Sequence, residues 1–463
     1  MNAPVSQPSE KNHNLPRLLG FWDGSAILVG LVIGSGIFLT APSIVKNFTS
    51  PTIPMLLWLA GGTLSLFGAL TYAELSTVRP HTGGMYIYLR DAYGKPTAFT
   101  FGWAALAIIR PTSISAIAFA FSKFAVRLLN LPPSDSKDDP QITIAITVAV
   151  ILILTAINCI GVILSSTVQK FLTALKVLAL LAIVVLAFVL GESNGFSHFT
   201  PVLDLSVKEG SIIAAISAAL AGVLWTYDGW NDVTYISGEI RNPSRNMPRI
   251  LITSTVAVMF IYLITNAAYI YVLPLEILGN SNDVAGSVIT TLIGGSGGII
   301  ATTLVMVSTF SATNSTIFTG SRVLYAMALD GLTFKFLRYK HPKTGTPVAS
   351  LIVEGVLACA WVIVLPSFED LLNYFVFTMW LFYIAGSGSI FILRKRYVEA
   401  KDTYRVPTAI PIIFIISSIL IPVMTIESEL DKGSINSLLV LGGVLAGYPL
   451  YFVWMVLVKV KQK

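Results

Sequence analysis

Twelve apolar stretches of membrane length follow one another along the chain, near 20–45, 53–77, 97–129, 141–164, 171–191, 211–237, 250–273, 289–320, 347–365, 371–393, 409–426 and 435–458. A hydrocarbon core about 30 Å thick takes roughly 20 apolar residues of helix, so each stretch is a candidate crossing. Composition agrees: 54% of the 463 residues are hydrophobic and 12% are charged, about half the ~25% charged residues of soluble domains. With a mean hydropathy of +0.77, a soluble exterior cannot be assembled, and soluble enzymes, disordered chains and fibrous repeats are set aside. The expectation is an all-α polytopic membrane protein, because backbone in lipid must satisfy its own hydrogen bonds.

A net charge of +6 invites a nucleic-acid reading until the basic residues are placed on alternate loops. With the N-terminus inside, about 22 of the 30 Lys and Arg fall on the cytoplasmic side, and four (Lys46, Lys137, Lys208, Lys432) on the other. That asymmetry is the positive-inside bias, accounts for the pI, and places both termini in the cytoplasm, with no nucleic-acid partner. Cys159 and Cys359 sit inside apolar runs without CxxC spacing, so neither a disulfide framework nor a metal site is expected. The polar stretch from Met1 to Arg17, with Pro4, Pro8 and Pro16, leads into further apolar runs without a small-residue cleavage site. It reads as a cytoplasmic tail, not a signal peptide, and the default location is the plasma (inner) membrane.

Two crossings are expected to be discontinuous. In the first, Gly30, Gly34, Ser35 and Gly36 lie mid-span within GLVIGSGIF; in the sixth, WTYDGWND puts Asp228 and Gly229 mid-span. Glycine weakens a helix interior and aspartate is costly at membrane depth, so both favour local unwinding, which is tolerated where it lines a protein cavity. Tight helix packing is the competing reading of the glycines. Breaks five helices apart are the pattern of an inverted repeat of five plus five helices. The second glycine cluster, Gly294 to Gly298, reads as a flexible cap outside helix 8.

GSGIF in helix 1, AGVLWTYDGWNDVTYISGEIRNPSRNMPR across helix 6 and TNSTIFTGSRVLYAMALDG after helix 8 resemble the amino acid–polyamine–organocation superfamily, and within it the L-type amino acid transporters. IIRPTSISAIAFAFSKF in helix 3 and FLTALKVLAL in helix 5 extend the likeness over nearly the whole chain. The resemblance implies a LeuT-like fold: a tail over 1–19, five-helix repeats over 20–191 and 211–393, helices 11 and 12 over 409–458, and a C-terminal tail over 459–463. It also implies transport of L-amino acids from a mid-membrane site between the two breaks. The animal members carry a cysteine in the loop between helices 3 and 4 that bonds a heavy subunit. Here that loop reads NLPPSDSKDDPQ, so no disulfide-linked heavy subunit is expected.

The family's substrate positions transfer onto Ser35 and Gly36 for the α-carboxylate, and onto the carbonyls of Val32, Trp225 and Asp228 for the α-ammonium group. A helix N-terminus with free N–H groups suits the first, and carbonyls released by unwinding suit the second. Asn231, Thr112, Ser115 and Asn314 are the expected side-chain pocket by position, and Trp225 is the family's aromatic gate. Lys176, in the FTALK position, stands in the family where a sodium ion sits in sodium-coupled relatives, which implies sodium-independent exchange. A snorkelling lysine near a helix end is the other reading of the same residue. Asp228 reads as structural or gating, and the absence of a side-chain charge elsewhere in the motif points to neutral substrates.

Arg110 and Glu354 are further intramembrane charges whose partners the sequence leaves unnamed. Glu74, Asp23 and Arg79 sit near helix ends as solvated groups or gate ion pairs, and His81 lies in a basic loop. HExxH does not occur, so no enzyme, catalytic residue, metal or cofactor is expected. The alternatives are a proton-coupled amino acid or amine symporter and, from another class, a substrate-sensing receptor or channel.

Overall fold

The computed structural model describes residues 15–131, 141–192, 195–209, 211–281, 283–397, 404–431 and 435–460. The start of the N-terminal tail, most of the loop between helices 3 and 4, the last three residues, and Lys11, Lys137, Lys401 and Lys432 lie outside them. Among the described residues the chain is helical, with two isolated β-bridges and no strand.

In chain order the helices are α1 (Phe21–Val32), α2 (Gly36–Leu39), α3 (Ala41–Val45), α4 (Thr52–Val78), α5 (Met85–Tyr93), α6 (Lys95–Ala104), α7 (Arg110–Leu128), α8 (Gln141–Ile160), α9 (Val162–Leu190) and α10 (Ile212–Thr226). They continue with α11 (Pro243–Val272), α12 (Leu275–Gly279), α13 (Val284–Ile293), α14 (Gly297–Leu329), α15 (Val348–Val364), α16 (Phe368–Arg396), α17 (Ala409–Asp431), α18 (Asn436–Leu445) and α19 (Gly447–Val460). Both expected discontinuities are present. The first helix stops at Val32 and resumes at Gly36; the sixth stops at Thr226, turns at Gly229 with φ 103°, and continues as a 3-10 helix over Trp230–Glu239.

Among the described residues, ten helices or helix pairs are long and apolar enough to cross a membrane by length and composition. The remaining two of the expected twelve depart for physical reasons. Helix α15 is 17 residues long. Helix α14 runs 33 residues, but its middle carries Ser308, Ser311, Asn314, Ser315, Thr316 and Thr319, all buried; a helix surrounded by protein has no need of an apolar surface. By contrast the exposed faces of α8, α9 and α19 present Leu152, Ile153, Leu178, Val185, Phe188, Val453 and Val456, as contact with lipid requires. Gly294, with φ +84°, ends α13, and Ser296 starts α14, so the glycine cluster separates two helices.

The fifth helix starts at Val162, directly after Gly161, nine residues before the expected position. Lys176 is therefore 14 residues into α9, about 21 Å along its axis at 1.5 Å per residue, and not near its end.

On the side carrying the start of α1, Leu19 pairs with the end of the 3-10 helix: Leu19 N–H donates to the Glu239 carbonyl (3.0 Å) and Arg241 N–H to the Leu19 carbonyl (2.8 Å). Arg322, expected among the cytoplasmic loops, is instead fully buried in α14 and grips Glu239 through two bonds of 2.8 and 3.0 Å. Arg394 of α16 holds Glu74 of α4 in the same bidentate way, Arg79 pairs with Asp91, and Lys170 of α9 pairs with Asp23 of α1. Opposed helices are thus tied by ion pairs, several shielded from water, where such pairs keep their geometry.

Candidate substrate site between the two breaks

The two unwound segments face each other across a cavity of about 50 Å³ lined by Val32, Gly34, Ser35 and Gly36 from the first break and by Trp225, Thr226, Asp228, Gly229 and Asp232 from the second. At roughly 10–15 Å³ of such space per water, it has room for a few waters, so the site is contracted. Beside it the two breaks are drawn together by Thr40 and Thr226, whose hydroxyl oxygens are 2.8 Å apart. Gly36 makes this approach feasible: a Cβ there would stand 2.7 Å from Thr226 Cγ2 and 3.0 Å from its Cα.

Polar groups converge on the cavity. Ser35 Oγ is buried and, among the described residues, has no hydrogen-bond partner; a buried hydroxyl left in this way is costly unless something else bonds it. Opposite it, the Asp228 carboxylate accepts a 2.5 Å bond from the Tyr383 hydroxyl of α16. Asp232 is matched by Arg110 of α7 through bonds of 2.5 and 2.9 Å, with the Thr319 hydroxyl donating to it at 3.2 Å. The guanidinium also lies over the Tyr235 ring, 4.5 Å from its centroid. Asp232 is thereby neutralised, and Asp228 is the unmatched carboxylate of the lining.

Lys176 is 2% exposed. Its Nζ donates to the carbonyls of Gly30 (2.9 Å), Ile33 (2.6 Å) and Ser308 (3.1 Å), which uses all three ammonium protons. Ser308 Oγ lies 3.0 Å from the carbonyls of both Ile33 and Gly34. The carbonyls that unwinding released from the first helix are thus collected by one lysine and one serine, and the lysine does not snorkel.

The carbonyl expected to be open at Val32 is occupied. It accepts from the Tyr262 hydroxyl of α11 (2.7 Å) and from Gly34 N–H (2.8 Å). Tyr262 Oη also lies 3.2 Å from the Thr226 carbonyl, so one hydroxyl bridges the two breaks. The Trp225 carbonyl accepts from Asp228 N–H (3.0 Å). Helix α2 is four residues long before α3 begins, so an anion at the first break would meet free N–H groups and Ser35 without a long helix dipole behind them.

Four expected pocket residues lie elsewhere. Thr112 bonds back to the Ile108 carbonyl (2.7 Å), and Ser115 to the carbonyls of Pro111 and Ala358 (both 2.7 Å), facing α15. Asn314 accepts from Asn158 (2.8 Å) and donates to Gln169 (3.0 Å), facing α8 and α9. Asn231 donates to Tyr235 Oη at 3.3 Å and is fully buried away from the cavity. Their neighbours Ser113, Ala116, Ile117 and Thr316 line it instead, with Leu372 and Phe375 of α16. Each residue turns a helix by 100°, so a shift of one or two positions moves a side chain to another face. Trp225 lines the cavity and meets Phe368 edge-on at 5.7 Å.

The sequence profile described as amino acid permease matches residues 19–448. The chain belongs to the amino acid permease family. Among its relatives are the human b(0,+)-type amino acid transporter 1, 33% identical over 92% of this chain and 86% of that protein, and the cystine/glutamate transporter of Pongo abelii, 29% identical over 96% and 87%. The mouse large neutral amino acids transporter small subunit 2 is 29% identical over 95% of this chain and 81% of its own length. The permease is a membrane transporter of amino acids and not an enzyme, and among its described residues no cluster of metal-binding side chains occurs.

Proposed function

We propose that this permease exchanges L-amino acids across the plasma (inner) membrane without sodium, by alternating access around the cavity between the two breaks. The observation that carries the reading is an unpartnered donor, Ser35 Oγ, and a carboxylate without a counter-cation, that of Asp228, lining one cavity. A zwitterion presents a carboxylate and an ammonium group in the same arrangement. Ser35 and the N–H groups around Gly36 take the α-carboxylate; the Asp228 carboxylate takes the α-ammonium. Trp225 and Phe375 cover the side chain, Trp225 as the gate, because turning a ring uncovers a site without moving a helix.

Sodium independence rests on Lys176. An ammonium bonded to three carbonyls fills the place that a cation would use and repels a second one. The contracted cavity must open to admit any amino acid, which is the expected behaviour of a site that alternates between two faces.

The twelve crossings, the five-plus-five inverted repeat, the cytoplasmic termini and the lack of a disulfide-linked heavy subunit belong to the same reading. Support for the orientation comes from the uneven basic residues, which keep their bias after Arg322 is removed from the count. A second reading of the side-chain preference is favoured by Asp228. An unmatched carboxylate in the lining also suits a substrate with a cationic side chain, where the sequence pointed to neutral ones.

The test is uptake of labelled alanine, serine, leucine or lysine by proteoliposomes preloaded with the unlabelled compound, with no ion gradient. Saturable, trans-stimulated uptake is the expected result. Uptake appearing only with an inward proton or sodium gradient would make the protein a symporter, and binding without accumulation would make it a receptor.

A further inference from the structure

Glu354 of α15 is 1% exposed, and neither of its carboxyl oxygens has a hydrogen-bond partner among the described residues. Proposed exchange makes no use of it. Its surroundings are specific. At Gly320 of α14 an added Cβ would lie 1.9 Å from Glu354 Oε1 and 2.7 Å from Arg110 Cδ, so the carboxyl group rests on the glycine with the arginine stem beside it. Arg110 Nε is itself buried without a partner. Two complementary groups therefore sit side by side, unbonded, while the far edge of the guanidinium is held by Asp232.

The charged groups around Glu354 can be named element by element. Helix α7 supplies Arg110, α14 supplies Arg322, and the 3-10 helix after the second break supplies Asp232. Arg322 is already matched by Glu239. Helix α8 brings the uncharged Thr155 against Gly355, next to Glu354, and Lys335 and Arg338 lie on the short 3-10 turn before α15. The cluster thus holds two guanidinium groups and three carboxyl groups. It is neutral when Glu354 carries a proton and carries one excess negative charge when it does not. A buried carboxylate without donors is costly, so a bound proton would lower the cost of burying this group.

We propose that Glu354 is a proton-binding site that acts on the transport cavity through Arg110. With the proton bound, Arg110 stays on Asp232 and the cavity charge is that of Asp228 alone. When the proton leaves to water, the carboxylate draws Arg110 Nε and its neighbouring N–H toward itself. Asp232, a cavity-lining residue, is then left without its counter-charge. Glu354 touches no substrate and is a positioning residue. The consequence is a pH-dependent substrate preference: alkaline conditions favour a cationic amino acid over a neutral one.

The proposal rests on the cavity being the transport site, and its test separates the two. Exchange of lysine and of alanine is measured from pH 5.5 to 8.5 in the wild-type permease, Glu354→Gln and Glu354→Asp. Neither substrate changes net charge appreciably over that range. The ratio of lysine KM to alanine KM falls on the order of tenfold with rising pH in the wild type, as one added nearby charge would give. It stays at the acidic value in Glu354→Gln and varies again in Glu354→Asp. An identical pH profile in Glu354→Gln and the wild type overturns the proposal. Infrared difference spectra of the purified protein decide the matter if Glu354→Gln does not fold or if no exchange is found. A carboxylic C=O stretch that titrates and moves in Glu354→Asp supports the site, and its failure to respond to that change refutes it.

Discussion

Replacing Lys176 by methionine removes the ammonium group and keeps an unbranched apolar stem, so packing around α9 is little disturbed. Three carbonyls, at Gly30, Ile33 and Ser308, lose a charged donor held at 2.6–3.1 Å. Hydrogen bonds to charged groups contribute about 1.5–3 kcal/mol each, but burying the ammonium costs several kcal/mol in return. A net loss of about 2 kcal/mol, one bond's worth, is what survives. It falls on the first break, because the Ile33 carbonyl precedes Ser35 by two residues. At 1.4 kcal/mol per factor of ten, that loss corresponds to a rise of roughly 30-fold in the KM for exchange. Proteoliposome exchange of alanine without sodium is the assay, with size-exclusion profiles confirming that the variant folds. A folded Lys176→Met protein with a KM within threefold of wild type would refute the reasoning.

Ser35→Ala removes a hydroxyl that makes no bond within the described protein. Its thermal stability in detergent should equal or exceed wild type while the substrate KM rises by about tenfold, the value of one bond to a carboxylate; a loss of stability with unchanged KM would contradict this. Gly36→Ala drives a methyl group against Thr226, an overpacking of about 1–3 kcal/mol; exchange should be nearly abolished, and Thr226→Ser in the same chain should restore part of it. Arg322→Met strands the buried Glu239 carboxylate at a cost of about 3–5 kcal/mol. The melting temperature should therefore drop sharply, with partial recovery in the double variant Arg322→Met, Glu239→Gln, and full stability of the single variant would count against a buried pair.

How much of the protein was legible in the sequence depends on the range of the forces involved. Apolar length and the uneven distribution of charge act on each stretch separately, so helical class, membrane location and both breaks could be read from GSG and YDG without knowing any neighbour. The break residues Ser35, Gly36, Trp225 and Asp228 reach the cavity because the chain itself carries them there. Where a boundary depended on a single glycine, as at Gly161, the apolar pattern on either side was too uniform to place it, and Lys176 was set too near a helix end.

Rotation and partnership were decided by tertiary packing alone. Whether Thr112 or Ser113 faces the cavity turns on 100° of helix rotation, which α14, α15 and α16 set by packing on α7. The polar residues in the middle of α14 are buried among neighbours that only the assembled bundle supplies. Partners lie far apart in the chain: Arg110 meets Asp232 122 residues away, Tyr262 meets Val32 230 residues away, and Lys176 meets Gly30 146 residues away. Sequence shows that a charge at membrane depth must be matched, since the cost of leaving it alone is local. Which group matches it is a property of the assembled bundle, because only folding brings those atoms within bonding distance.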